Sequence, residues 1–135
     1  MADIRIDVGV LEFTARWEAN APVSRAWLLN RLPLEGTLLQ ARWSGEAGWS
    51  RLGANLRLEP ENATTRPGPG QILLYAGDVS EPELLIPYGA CAFAYQGGPL
   101  RGNHVVTLDQ APHELRTLGE ILQSKGAQSL RITSC

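Results

Sequence analysis

Turn-forming residues interrupt this chain so often that none of its elements can be long. Fourteen glycines and nine prolines make up about a sixth of it, against roughly 12% in an average protein. Many turns mean short elements, and short elements favour β structure. At 135 residues there is room for one domain, taken as residues 1–135. Hydrophobic residues at 44% can build a core, and charged residues at 19% argue against disorder.

Two periodicities alternate along the chain. Ile4 to Val8 and Leu11 to Trp17 read as a hairpin, the second strand setting Leu11, Phe13, Ala15 and Trp17 against Glu12, Thr14, Arg16 and Glu18. Asn20 as N-cap and Pro22 open a helix predicted over 22–32, which Pro33 stops. From Leu38 the period returns to two, with Leu39, Ala41 and Trp43 on one face and Leu38, Gln40 and Arg42 on the other, ending at Ser44-Gly45. A short strand is predicted at Trp49 to Leu52, and residues 59–70 read as an exposed loop. Ile72 to Ala76 and Glu83 to Tyr88 form a strand pair. Ala90 to Tyr95 is extended, and Asn103 to Leu108 is a β-branched strand. Asp109 as cap opens a second helix at about 112–124, with Gly126 past its end, and Ser129 to Ser134 is the last strand. About eight strands and two helices suit a closed barrel with plugged ends, because closure removes exposed edges.

The charge balance disfavours several functions. Twelve basic against fourteen acidic residues, net −2, provide no field for nonspecific nucleic-acid or anionic-membrane binding. Lys125 is the only lysine, and its predicted helix-end position suits neither Schiff-base chemistry nor a P-loop. Two cysteines, Cys91 and Cys135, are too few for a disulfide framework. A start without basic and apolar leader regions predicts a cytoplasmic protein with reduced thiols. No apolar run reaches the roughly 18 residues of a membrane span. His104 and His113 stand nine apart without metal-ligand spacing, so no metal or other cofactor is expected.

The segments Ala41-Arg42-Trp43-Ser44-Gly45-Glu46-Ala47-Gly48-Trp49, Gly70-Gln71-Ile72-Leu73-Leu74-Tyr75-Ala76-Gly77, Glu83-Leu84-Leu85-Ile86-Pro87-Tyr88-Gly89 and Gly102-Asn103-His104-Val105-Val106-Thr107 occur in this order. Together they resemble a small bacterial cyclophilin-like family catalogued as a domain of unknown function, over residues 35 to 132. The resemblance implies a mainly β, cyclophilin-like closed barrel of about eight strands with two helices, but no settled reaction. Through the family's distant likeness to opine-forming cyclases it also offers an enzymatic analogy. Cyclophilins carry Phe-His-Arg and then a glutamine-containing proline pocket; the equivalent strand here reads Leu39-Gln40-Ala41-Arg42-Trp43. It keeps an arginine and lacks the aromatic and glutamine lining, so prolyl isomerase activity is not expected.

Several residues could carry chemistry, each with a plain structural alternative. Arg42 either clamps a carboxylate or is a solvated surface arginine. Glu46, in the turn between Trp43 and Trp49, is either an acid or base flanked by indoles or a solvated turn glutamate. Asn103 and His104 follow the glycine-rich loop 96–102; His104 is either a proton shuttle or a core histidine sharing a face with Val106 and Leu108. Tyr75 and Tyr88 could point phenols into one mouth, with Tyr88 preferred because Pro87 and Gly89 fix its backbone. Cys91, in an apolar strand, reads as inert core.

The leading expectation is a pocket of Arg42, Trp43, Glu46, Trp49, Tyr88, Asn103 and His104 that binds a small, carboxylate-bearing metabolite. Glu46 and His104 are the catalytic candidates if the protein is an enzyme acting by acid and base catalysis on a cyclic amide or imine. A third possibility is an accessory subunit of a hydrolase. Four tryptophans and the low charge fraction predict a homo-oligomer that covers an apolar patch.

Overall fold

The computed structural model describes residues 1–54 and 56–135. In chain order they form β1 (Ile4–Val8), β2 (Leu11–Trp17), α1 (Pro22–Leu29), β3 (Leu34–Gln40), β4 (Gly45–Arg51), β5 (Ala63–Thr64) and β6 (Gln71–Tyr75). β7 (Glu83–Cys91), β8 (Ala94–Tyr95), β9 (Gly98–Pro99), β10 (Gly102–Leu108), α2 (Pro112–Lys125) and β11 (Gln128–Ser134) follow. Antiparallel strands lie in the order β2-β1-β11-β3-β4-β7-β6-β10, and β10 pairs back onto β2 to close a barrel. The two-residue β5 hangs on β10. This is the expected cyclophilin-like architecture: eight strands closed on themselves, capped by two helices.

Alternation along the strands creates two apolar layers. Inside the barrel lie Ile4, Ile6, Phe13, Ile72, Leu74, Leu84, Ile86 and Tyr88, with Leu115, Leu118 and Leu122 of α2 closing one end. Their neighbours point outward, where Ala47, Leu73, Tyr75 and Leu85 form a second cluster with Phe93 and Leu100. That outer layer stays dry because residues 92–101, including the β8-β9 hairpin, fold across it. The flap is anchored by hydrogen bonds from Ala92 N to Ser44 O (3.0 Å) and Phe93 N to Thr65 O (2.8 Å). Tyr75 meets Phe93 edge-on, ring centres 5.5 Å apart. Among the described residues no helix is long and apolar enough to cross a membrane.

The differences from the sequence reading have local causes. α1 ends at Leu29 rather than at residue 32, as the amides of Arg31 and Leu32 turn back onto the carbonyls of Leu28 and Leu29. β3 spans Leu34–Gln40 rather than 38–43. Its first residues, Leu34-Glu35-Gly36-Thr37, lack apolar alternation and are held extended by pairing with β11 from Ile132 back to Ser129. The expected caps also fail: neither helix has a side-chain cap at its N-cap residue. Instead Glu61, from the loop read as merely exposed, accepts the amides of Ser24 (2.6 Å) and Val23 (3.4 Å) at the start of α1. Burial would raise the Glu61 pKa, but the Ser24 and Val23 hydrogen bonds outweigh it and hold the carboxyl below its usual range. Asp109 pairs with Arg16 at 3.2 Å.

Candidate functional site

Beyond Gln40 the chain leaves the sheet and makes a tight turn at 41–44 before β4. Two features hold that turn. Gly45 takes φ +90°, and a Cβ there would approach Ala90 O to 2.8 Å, so only glycine fits without strain. Ser44 Oγ accepts Ala94 N at 3.0 Å and donates to Ala94 O at 3.1 Å, locking the turn to the flap. Arg42 and Trp43 therefore project from a pinned turn, not from a strand as the alternation suggested. Trp43 is 50% exposed, and the Arg42 guanidinium lies 5.5 Å from its ring centre.

Between this turn, the outward face of β4 and the flap lies a cleft of about 400 Å³. Such a volume is at the lower end for small-ligand sites. Trp49 and Arg51, two apart on β4, share its wall; the Arg51 guanidinium sits 5.2 Å from the Trp49 ring centre. Arg51 Nε also donates to Glu81 at 3.0 Å, which fixes the side chain while leaving its terminal nitrogens for another acceptor. Tyr95 and Gln96 of the flap form the opposite wall.

Glu83 also lines this cleft. As first residue of β7 it pairs across the sheet with Arg51 of β4 and Tyr75 of β6, so all three side chains leave the barrel on its outer face. Glu83 is 8% exposed and makes no side-chain hydrogen bond or ion pair with the described residues, yet its carboxylate oxygens keep contact with solvent at the cleft, since among the described residues no fully buried side-chain oxygen lacks a partner. Burial, with the nearby charge of Glu81, pushes its pKa up to about 7. A carboxyl poised there exchanges its proton near neutral pH. The sequence reading had Glu83 only as the start of a strand; the available signal was a lone acid heading the apolar run Leu84-Leu85-Ile86.

The seven residues expected to share one pocket occupy separate places. Arg42, Trp43 and Trp49 meet in the cleft just described. Glu46 points to the other side of β4: it accepts Ala90 N at 2.8 Å and lines a groove beside α2 with Tyr88, Arg116 and Gln123. It is thus not flanked by Trp43 and Trp49. Tyr88 lies at the barrel end, where its hydroxyl donates to Gln40 (2.7 Å) and accepts from Gln123 (2.7 Å). Tyr75 does not share a mouth with Tyr88. It faces outward, and its hydroxyl accepts the amides of Val79 (2.9 Å) and Ser80 (3.2 Å).

Asn103 and His104 diverge because neighbours on a strand point to opposite sides. Asn103 Oδ1 accepts Glu61 N at 3.1 Å, while Nδ2 donates to Ser24 Oγ (2.9 Å) and Glu59 O (3.1 Å). Two of these bonds hold the loop before β5 and the third holds α1, so Asn103 joins both to β10. His104 does not share a face with Val106, because a β-bulge between them shifts the register and brings it beside Thr107. Its Nε2 lies 2.8 Å from Thr107 Oγ1, which donates to Glu18 at 2.8 Å, and Nδ1 lies 3.8 Å from the same carboxylate. Burial lowers the His104 pKa despite the opposing pull of Glu18. This cluster stands apart from the cleft. Cys91 is half-buried, and burial pushes its thiol to about 11, far from a reactive thiolate. Among the described residues no three His, Cys, Asp or Glu side chains gather as a metal site.

A larger depression of about 940 Å³ lies on the other side of Tyr95 and the 76–79 segment, lined in part by Arg57, Asp78, Tyr95 and Arg101. Its buried polar residue is Asn103, whose amide is already committed to the protein. The smaller cleft is the better candidate, because the Glu83 carboxylate opens into it without a hydrogen-bond partner among the described residues.

The fold has a solved counterpart. A structure titled "Structure of McbB in complex with tryptophan" superposes with a TM-score of 0.74 at 16% identity, over 96% of this chain. This chain spans 44% of that McbB chain, less than half its length. No curated protein matches in sequence. A family model described as a protein of unknown function matches residues 4–134. With nearly the whole barrel inside that match, the chain belongs to the DUF3830 family.

Proposed function

We propose that this protein binds a small metabolite with an aromatic body and a carboxylate in the cleft between the 41–44 turn and the flap. The carrying observation is the meeting of two guanidiniums, Arg42 and Arg51, with the indoles of Trp43 and Trp49 around 400 Å³ of space. Indole faces supply contact area at little entropic cost, and an arginine fork binds a carboxylate through two parallel hydrogen bonds. The tryptophan bound by McbB, a longer protein of which this chain's fold covers 44%, supports an aromatic ligand. A second reading, acid and base catalysis in the same cleft, is favoured by Glu83, which titrates near pH 7. Turnover of a bound compound by the isolated protein separates catalysis from binding.

Replacing Arg42 with Met tests the binding reading, since it keeps the apolar stem but removes the charge and the donor fork. Calorimetry with aromatic carboxylates, L-tryptophan first, should show binding weakened by roughly 1.5 to 3 kcal/mol, the size of a charge-assisted hydrogen bond. The melting temperature should hardly move, because Arg42 is exposed and has no carboxylate partner among the described residues, and such an arginine adds little to folding. Equal affinity in parent and variant would refute the proposal.

A further inference from the structure

The cleft holds one group that a simple acid would leave unused. We propose that Glu83 receives the ammonium group of the ligand while Arg42 or Arg51 holds its carboxylate, so that the cleft selects an aromatic α-amino acid over the corresponding acid. This rests on the cleft being the binding site, and adds the ligand's charge pattern.

Glu83 is more than nine-tenths buried, lines the cleft, and has no partner among the described residues. Such a carboxylate, mostly withdrawn from water yet open to the cleft, gains from a cation that meets it there. The cation set directly opposite it is Arg51, its cross-strand neighbour, yet Arg51 is turned onto Glu81 and the Trp49 ring. Directly opposed residues in an antiparallel pair have Cα atoms roughly 5 Å apart. Acceptor and donor fork are thus set side by side on a rigid sheet, as required by a ligand that carries carboxylate and ammonium on one carbon. The indoles of Trp43 and Trp49 receive the aromatic side chain.

The site also carries a pH signature. The charged and titratable groups around Glu83 are Arg51 on β4, Glu81 in the connection before β7, Tyr75 on β6, Arg42 in the turn and Tyr95 on β8. Burial and Glu81 favour the protonated carboxyl, which offers an ammonium no countercharge. Binding of the amino acid should therefore tighten as pH rises from 6 to 8, whereas binding of an acid lacking the amine should not.

Three indole probes separate the two halves of the site: L-tryptophan, indole-3-propionate without the amine, and tryptamine without the carboxylate. Calorimetry at pH 6 and 8 on the wild type and Glu83→Gln reads the outcome, with thermal melts confirming that the variant folds. At pH 8 the wild type should bind tryptophan at least tenfold tighter than indole-3-propionate, less so at pH 6, and Glu83→Gln should erase the difference. Indole-3-propionate binding as tightly as tryptophan, or an unchanged preference in Glu83→Gln, would overturn the role of Glu83 and leave the carboxylate clamp standing. Tryptamine matching tryptophan would overturn the clamp and leave Glu83. Binding of none of the three at millimolar concentration would overturn both.

Discussion

Glu83 and Asn103 are buried almost equally, 8% and 6% exposed, and sit on strands two apart in the barrel, yet they serve opposite ends. Asn103 spends its Oδ1 and both amide hydrogens on Glu61, Ser24 and Glu59. Glu83 has no such partner among the described residues and opens onto a cleft. A buried polar group with its hydrogen bonds met lowers the folded state's energy, whereas a carboxyl whose oxygens open onto a cleft is left free to meet a ligand. The comparison separates structure from function better than burial does, and it can be broken by substitution.

The largest effect is expected at Asn103. Asn103→Ala removes three hydrogen bonds and leaves Ser24 and the backbone at 59 and 61 without their partner. Loss of a buried network of this kind costs about 3 kcal/mol. Urea titration should show the midpoint falling with the slope kept, and ligand affinity holding wherever the variant is folded. A variant as stable as the parent that no longer binds would make Asn103 the functional residue and reverse the comparison.

Glu83 should respond with the opposite sign, and only in one pH window. Its pKa is about 7 in the fold against 4.5 for the ordinary carboxyl. Below pH 4.5 both states are protonated and the group has no effect. As pH rises from 4.5 through 7 the unfolded chain ionises first, so the folded state loses stability, by roughly 2 kcal/mol once the water that reaches the carboxylate at the cleft is allowed for. Glu83→Gln has no carboxyl to ionise, and should be more stable than the wild type at pH 8 and much like it at pH 4.5. Thermal melts across that range check this; parallel curves would mean that Glu83 is not held protonated by the fold.

The same contrast explains what could be read from the sequence. Most strands and both helices were legible because alternation at Leu11 to Trp17 and at Ile72 to Ala76, and the i, i+3, i+7 leucines 115, 118 and 122, are local signals; the closed barrel followed from the number of short strands and from the family resemblance. The candidate cleft was half legible. Arg42, Trp43 and Trp49 lie within eight residues of each other and do meet. Glu83, thirty-four residues beyond Trp49 in the chain, joins them only through the β4-β7 register, a long-range pairing no local pattern encodes. Glu46 was misplaced for a related reason: it falls at an irregularity in the β4-β7 pairing between Gly45 and Ala47, where its carboxylate turns to Ala90 N on β7. His104 was misread because a bulge adds a residue and inverts the alternation, and bulges leave little trace in sequence.

The smallest effect should come from Tyr88, and it sharpens the comparison because Tyr88 looked from sequence like a wall of the binding pocket. Its ring packs so closely against α2 that a Cβ at Gly119 would land on it, and its hydroxyl bridges Gln40 on β3 to Gln123 on α2. Tyr88→Phe keeps the ring and removes that bridge. Both glutamines are partly exposed, so water can replace the lost oxygen, and the cost should be about 1 kcal/mol. For a domain of this size that is a drop in melting temperature of roughly 3 to 6 °C. Affinity for L-tryptophan should be unchanged, since the hydroxyl lies at the barrel end beside α2 while the cleft opens on the outer face of β4 and β7. Tenfold weaker binding by Tyr88→Phe with an unchanged melt would move the binding site to the groove beside α2, where Glu46 and Arg116 would become the polar groups to test.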